Sequence, residues 1–164
     1  ASGLLSALAQ VCRQRLQVKL LIFGADLSLK RYLERIEAPS EVHGWVPAEE
    51  WPQYLTQIDV GLAPIAGQAE QRKSWQRLLE YMIRSIPWVA SDQLPYRALG
   101  RYGRLVANVE ASWEQTLLEV IDNIDAYRAR ASKEAFLFAL GQDVDENIEK
   151  VIAQYRTILA LPLT

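Results

Sequence analysis

Lys73-Ser74-Trp75-Gln76-Arg77-Leu78-Leu79-Glu80-Tyr81-Met82, followed by Ile86-Pro87-Trp88-Val89-Ala90-Ser91-Asp92, sets a helix and then a strand behind a polar loop. The apolar positions 78, 79, 81 and 82 fall at helical steps, and residues 74 to 84 are predicted as that helix. Residues 87 to 91 are a short apolar run, as expected of a strand buried on both faces of a parallel sheet. The same alternation extends outward from this unit. Upstream lie predicted strands at 18 to 23, 40 to 45 and 58 to 64, with helices at 3 to 14, 28 to 37 and 48 to 57. Leu4, Leu5, Leu8, Val11 and Cys12 give the first helix its apolar face. Downstream, Arg104 to Ala107 reads as a last strand. Ser112 with Gln115, and Asp143 with Glu146, then read as capping-box starts of C-terminal helices. Strand alternating with helix defines an α/β, Rossmann-like doubly wound parallel sheet of about five strands, with helices on both faces. Residues 65 to 73 are the one long polar connection and follow a strand's carboxyl end, where open α/β sheets bind ligands.

Composition narrows the class. The 164 residues suit one domain, 1 to 164, with half of them apolar and 23% charged. A formal net charge of −2 offers no field for a polyanion, so nucleic acid is not an expected partner. The lone Cys12 has no disulfide partner and reads as a small core residue, consistent with a cytoplasmic protein. No apolar run approaches the roughly 18 to 20 residues that cross a bilayer, and the first residues lack the basic flank of a signal peptide.

Within the opening stretch, Ser74 can cap the helix, whose first-turn amides suit an anionic diphosphate. Lys73 and Arg77 add positive charge there, and Glu80, two turns in, is a carboxylate able to accept both hydroxyls of a ribose. The plainer reading is a surface helix in which Arg77 and Glu80 form an exposed i,i+3 pair.

This stretch resembles the donor-site signature of the group 1 glycosyltransferases, the large retaining family with the GT-B fold. The resemblance runs from about residue 4 to 135 and keeps the family's order. It is carried by Leu20 to Gly24, by Val42-His43-Gly44-Trp45-Val46, by Asp59-Val60-Gly61-Leu62-Ala63-Pro64 and by Lys73-Ser-x-x-Arg77-Leu-x-Glu80-Tyr81. Pro87 to Ser91, Gly103 to Val106 and Trp113 continue it. It implies one half of a GT-B enzyme, the domain that holds a nucleoside-diphosphate sugar. Glu80 would bind the donor ribose, the backbone around Trp45 and Val46 the base, and the amides of Trp75, Gln76 and Arg77 the diphosphate. Lys73 and Ser74 would border the sugar, and Gly24, His43 and Pro64 would line the crevice. Implied partners are the nucleotide-sugar donor, an N-terminal acceptor-binding domain of the same protein, and a membrane with which the full-length protein associates peripherally. No metal or other cofactor is expected, and no general base for the chemistry is visible.

The departures from the family pattern are specific. Arg72 stands where the family usually has a second Glu, and Ser85 replaces the Gly that ends the helix. The Gly-Gly-x-x-Glu after Asp92 is missing, with Tyr96 nearby. The family's first donor-domain strand and its acceptor domain have no counterpart in these residues, so the sheet is expected to show a gap or a direct pairing of that strand's neighbours. By itself the chain is expected to transfer no sugar.

Several side chains carry two readings. His43, the only histidine, is either a satisfied polar residue or a donor contact, and it has no second ligand within zinc spacing. Asp26 caps the next helix or lines the crevice. Trp51, Trp88 and Trp113 read as core, whereas Trp45 and Trp75 sit where a base or sugar face can stack. The rival class is a non-catalytic α/β domain, either a degenerate transferase half used for protein contacts or a receiver-like regulator; Asp26 and Asp92 lack the acidic neighbours a receiver needs.

Overall fold

The structure, a computed structural model, describes residues 2–24, 27–35, 38–65, 67 and 74–159. Lys73, Arg72 and Asp26 lie outside the described residues. The chain runs α1 (Ser2–Gln14), β1 (Leu20–Phe23), α2 (Leu27–Arg35), β2 (Ser40–His43), α3 (Trp51–Leu55), β3 (Gly61–Ala63) and α4 (Gln76–Met82). It continues through β4 (Trp88–Ser91), α5 (Leu94–Arg97), β5 (Arg104–Val106), α6 (Glu110–Asp122), α7 (Ile124–Arg130), α8 (Phe136–Leu140) and α9 (Val144–Leu159). A π-helical turn, Ala131–Ala135, joins α7 to α8.

The five strands are all parallel, as the sequence predicts, but they form two sheets and not one. β1 pairs with β2, placing Phe23 beside His43, and β3, β4 and β5 form the second sheet in that order. The gap is expected between β1 and β3, the neighbours of the family's absent first strand. Of the two outcomes expected there, direct pairing of these strands is not seen among the described residues.

Two cores flank the strands and make the fold doubly wound. β4 shows why: it is buried at all four positions, and its side chains alternate between the two sides. Val89 joins a core built with α1 (Leu4, Leu8, Val11, Cys12), α2 (Leu33) and α6 (Trp113, Leu117, Val120). Trp88 and Ala90 join the opposite core, with Leu55 of α3, Leu78, Tyr81 and Met82 of α4, and Ala139 of α8. The first core also takes Leu20 and Ile22 of β1 and Leu62 of β3, so it passes beneath both sheets and holds them in one body. Cys12 is buried in it, as expected.

Several helix starts differ from the sequence reading; α3, for example, begins at Trp51 and not at residue 48. α6 begins at Glu110 behind an extended Val109 that makes no side-chain cap, so Ser112 lies in the first turn and is not a cap. The helix must start that early because Trp113, at 1% exposure, is the first of three core residues at helical steps with Leu117 and Val120. Asp143 does cap α9, its carboxylate accepting the Asp145 N–H at 2.8 Å.

Candidate functional site

The carboxyl ends of β1, β2 and β3 and the start of α4 gather most of the residues singled out by sequence. Gly24 closes β1 with φ +70°, a conformation that glycine adopts without a Cβ penalty. Its N–H is shared between the carbonyls of His43 (3.1 Å) and Gly44 (3.0 Å), which locks the ends of β1 and β2 together. Trp45 then projects into solvent at 82% exposure, and Val46 is half-buried. Pro64 is exposed at the end of β3.

His43 is satisfied on several sides. Its ring stacks on Phe23 (5.0 Å, 11°), meets Tyr54 edge-on, and its Nε2 lies 2.9 Å from Glu41 Oε1. Glu41 also pairs with Lys19, and this ammonium, followed by His43, holds the Glu41 carboxyl below its ordinary range.

The α4 segment starts at Gln76, two residues later than the predicted 74. Trp75, not Ser74, takes the cap position, and the Ser74 Oγ accepts the Gln76 N–H at a long 3.4 Å. The Trp75 ring packs edge-on against Phe138 of α8. Leu78, Tyr81 and Met82 face the core, and this rotation leaves Gln76, Arg77 and Glu80 on the outer face. The Tyr81 hydroxyl donates to the Leu62 carbonyl at 3.1 Å, tying α4 to β3. A Cβ on Gly61 would meet the Tyr81 ring at 2.5 Å, so only glycine admits this approach. Burial of the Tyr81 phenol pushes its pKa up to about 12.

Glu80 is the centre of a small polar cluster, and its side chain is only 25% exposed. Its Oε2 accepts the indole N–H of Trp51 at 2.9 Å and lies 3.3 Å from Arg77 Nη1. The i,i+3 pair expected of Arg77 and Glu80 is thus formed. Gln76 Nε2 stands 3.5 Å from the other oxygen, Oε1. Arg77 also lies over the Trp51 ring, 4.9 Å from its centre. Trp51 is expected in the core and does pack against the second core, but its ring is only half-buried and its N–H is spent on Glu80. Apolar spacing cannot distinguish the two, because the carboxylate partner is 29 residues away. Trp88 and Trp113 are core as expected.

A second feature escaped the sequence reading. The fully buried Ser91 at the end of β4 accepts the Ile65 N–H (2.9 Å) and donates to Asn108 Oδ1 (2.6 Å). Asn108 in turn donates to the Ile65 carbonyl at 2.7 Å. This closed ring fixes the backbone where the 66–73 connection departs. Among the described residues no cluster of His, Cys, Asp and Glu is arranged to hold a metal, and no described helix is long and apolar enough to cross a membrane.

Parallel strands with helices on both faces define a Rossmann-like α/β domain. The family profile described as Glycosyl transferases group 1 matches residues 2–123, three quarters of the chain, and the protein belongs to that family. The matched region ends with α6, so α7, α8 and α9 lie beyond it. No curated protein matches the chain.

Proposed function

We propose that the carboxyl ends of the strands, with the start of α4, hold the nucleoside-diphosphate part of a glycosyl donor, for retaining transfer to an acceptor bound by a separate domain. The observation that carries this reading is Glu80, a partly shielded carboxylate on the outer face of α4, linked through Trp51 and Phe23 to the locked ends of β1 and β2. An ionised carboxylate in that setting suits the vicinal hydroxyls of a ribose. The chain's part in the chemistry is then to orient the donor and to stabilise the departing diphosphate, with Arg77 and Lys73 supplying charge. Trp45 and Val46 border the base, and Gly24, His43, Pro64, Ser74, Trp75 and Gln76 line the remainder. By itself the chain transfers no sugar in this reading, and turnover by the purified chain would contradict it.

The test is calorimetric titration with UDP and GDP. Glu80→Ala removes charge-assisted hydrogen bonds that contribute about 1.5 to 3 kcal/mol each before losses, so binding should weaken by roughly 2 to 3 kcal/mol. That is on the order of a 30- to 150-fold rise in Kd. Lys73→Ala should also weaken binding, more at low salt than at high salt. Fold stability should fall by about 1–3 kcal/mol in Glu80→Ala, because the half-buried Trp51 N–H loses its acceptor, while the Arg77 ion pair itself contributes little. The alternative, a degenerate domain used for protein contacts, draws on the fact that Arg77 and Trp51 already engage Glu80. It requires that neither substitution alter nucleotide affinity.

A further inference from the structure

Trp51 does something that filling space does not require. It opens α3 with its backbone N–H on the Pro47 carbonyl (3.1 Å), followed by Pro52, so its backbone is rigidly placed. Its ring is held edge-on by Phe23 at 5.0 Å, and Phe23 is itself clamped between the His43 ring and the edge of Tyr54. From this fixed frame the indole N–H reaches the Glu80 carboxylate at 2.9 Å. A leucine or phenylalanine would cover the same apolar surface without supplying a donor.

We infer that Trp51 is a positioning residue for Glu80, holding Oε2 together with Arg77 so that Oε1 is the oxygen offered to a ligand hydroxyl. The inference rests on the donor-binding reading of Glu80. A glutamate side chain alone samples several rotamers, and ordering it on binding costs affinity. Here Oε2 accepts the Trp51 N–H and lies in an ion pair with Arg77, whereas Oε1 has only the distant Gln76 amide. The carboxylate is therefore set in one orientation before a ligand arrives, by a residue on another element that need not touch the ligand.

The test is a double-mutant cycle. UDP and GDP are titrated separately into wild type, Trp51→Phe, Glu80→Ala and the double variant. Trp51→Phe keeps the ring against Phe23 and should raise the Kd of the nucleotide that binds by about 3- to 10-fold, the size of one ordinary net hydrogen bond, because the bond lost orders Glu80 and does not itself touch the ligand. In the Glu80→Ala background it should have no further effect, because nothing is left to position. Additive effects would overturn the inference and leave a structural role for the ring. Normal affinity in Trp51→Phe beside a weakened Glu80→Ala would overturn it while the Glu80 reading stands. Unchanged affinity in Glu80→Ala, or no binding of either nucleotide by wild type, removes both. A spectroscopic arm stands apart from affinity and from the folding of the Trp51 variant: among the five indole N–H signals, one should shift strongly in Glu80→Gln. If none moves, the contact is not made and the inference falls.

Discussion

At the scale of single residues, the clearest departure from rule is Ser85, which adopts φ 56° where the family pattern has glycine. The local hydrogen bonds explain how a serine manages it. The Ser85 N–H donates to the Met82 carbonyl (3.0 Å) and the Ile86 N–H to the Tyr81 carbonyl (2.9 Å), which is the Schellman arrangement. Ile86 and Tyr81 also share the second core, completing the motif's apolar contact. An L-residue in this conformation costs roughly 1–2 kcal/mol, and the greater freedom of glycine in the unfolded chain returns roughly 0.5–1. Ser85→Gly should therefore stabilise the fold by about 0.5–1 kcal/mol, seen as a raised denaturation midpoint in urea. A lower midpoint would refute this account. Tyr81 gives a second residue-scale expectation. Its folded pKa lies above that of a free tyrosine, so its contribution is fully present below pH 10 and is lost as pH rises from about 10 to about 12. Two pH units correspond to about 2–3 kcal/mol. Urea melts across that window should lose stability more steeply for wild type than for Tyr81→Phe, and parallel slopes would refute it.

At the scale of elements, the apolar runs made the strands legible and the 3.6-residue spacing made the helices legible, because each reports its own burial. Boundaries were less legible. The cap positions of α4 and α6 are set by which residues must reach the core, and that is a tertiary demand invisible to a capping motif. The anchor of the 66–73 connection was not legible at all, since Ile65, Ser91 and Asn108 come from three strand ends spread over 43 residues. That anchor is testable. Asn108→Ala removes two hydrogen bonds and leaves the buried Ser91 hydroxyl without its acceptor, which should destabilise the fold by about 1–3 kcal/mol. Urea melts of the variant measure it; an unchanged midpoint would mean that water replaces the amide at no cost. In the candidate site, the glycines, His43 and the Arg77–Glu80 pair were legible from spacing. The Trp51 contact was not, for the same reason as the anchor: it joins α3 to α4 across the fold.

At the scale of the whole molecule, the parallel α/β class was legible, and the division of its strands two and three was one of two expected outcomes, the other being direct pairing across the gap. The division has a thermodynamic consequence. A two-stranded sheet is marginal by itself, and β1 with β2 relies for its persistence on packing from α1 and α2 in the first core and on the Trp51 and Tyr54 rings of α3. β4, by contrast, is paired on both sides and buried at every position. The first core links the halves through α1, but Leu20 is the only buried side chain that β1 and β2 give it, against the larger contribution of α1 and α6. The β1–β2 half should therefore open without global unfolding. Native-state hydrogen exchange should show the strand amides of β1 and β2 exchanging through openings at least about 1 kcal/mol lower in free energy than those of β4. Leu8→Ala, which cuts a cavity into the shared core, should cost about 2–5 kcal/mol overall. Because Leu8 sits on α1 beneath both sheets, the variant should lower exchange free energies in both halves, whereas a substitution confined to the second core, such as Met82→Ala, should act mainly on β3 to β5. Equal exchange free energies for β1, β2 and β4 in wild type would mean that the single core suffices to make the divided strands one cooperative unit.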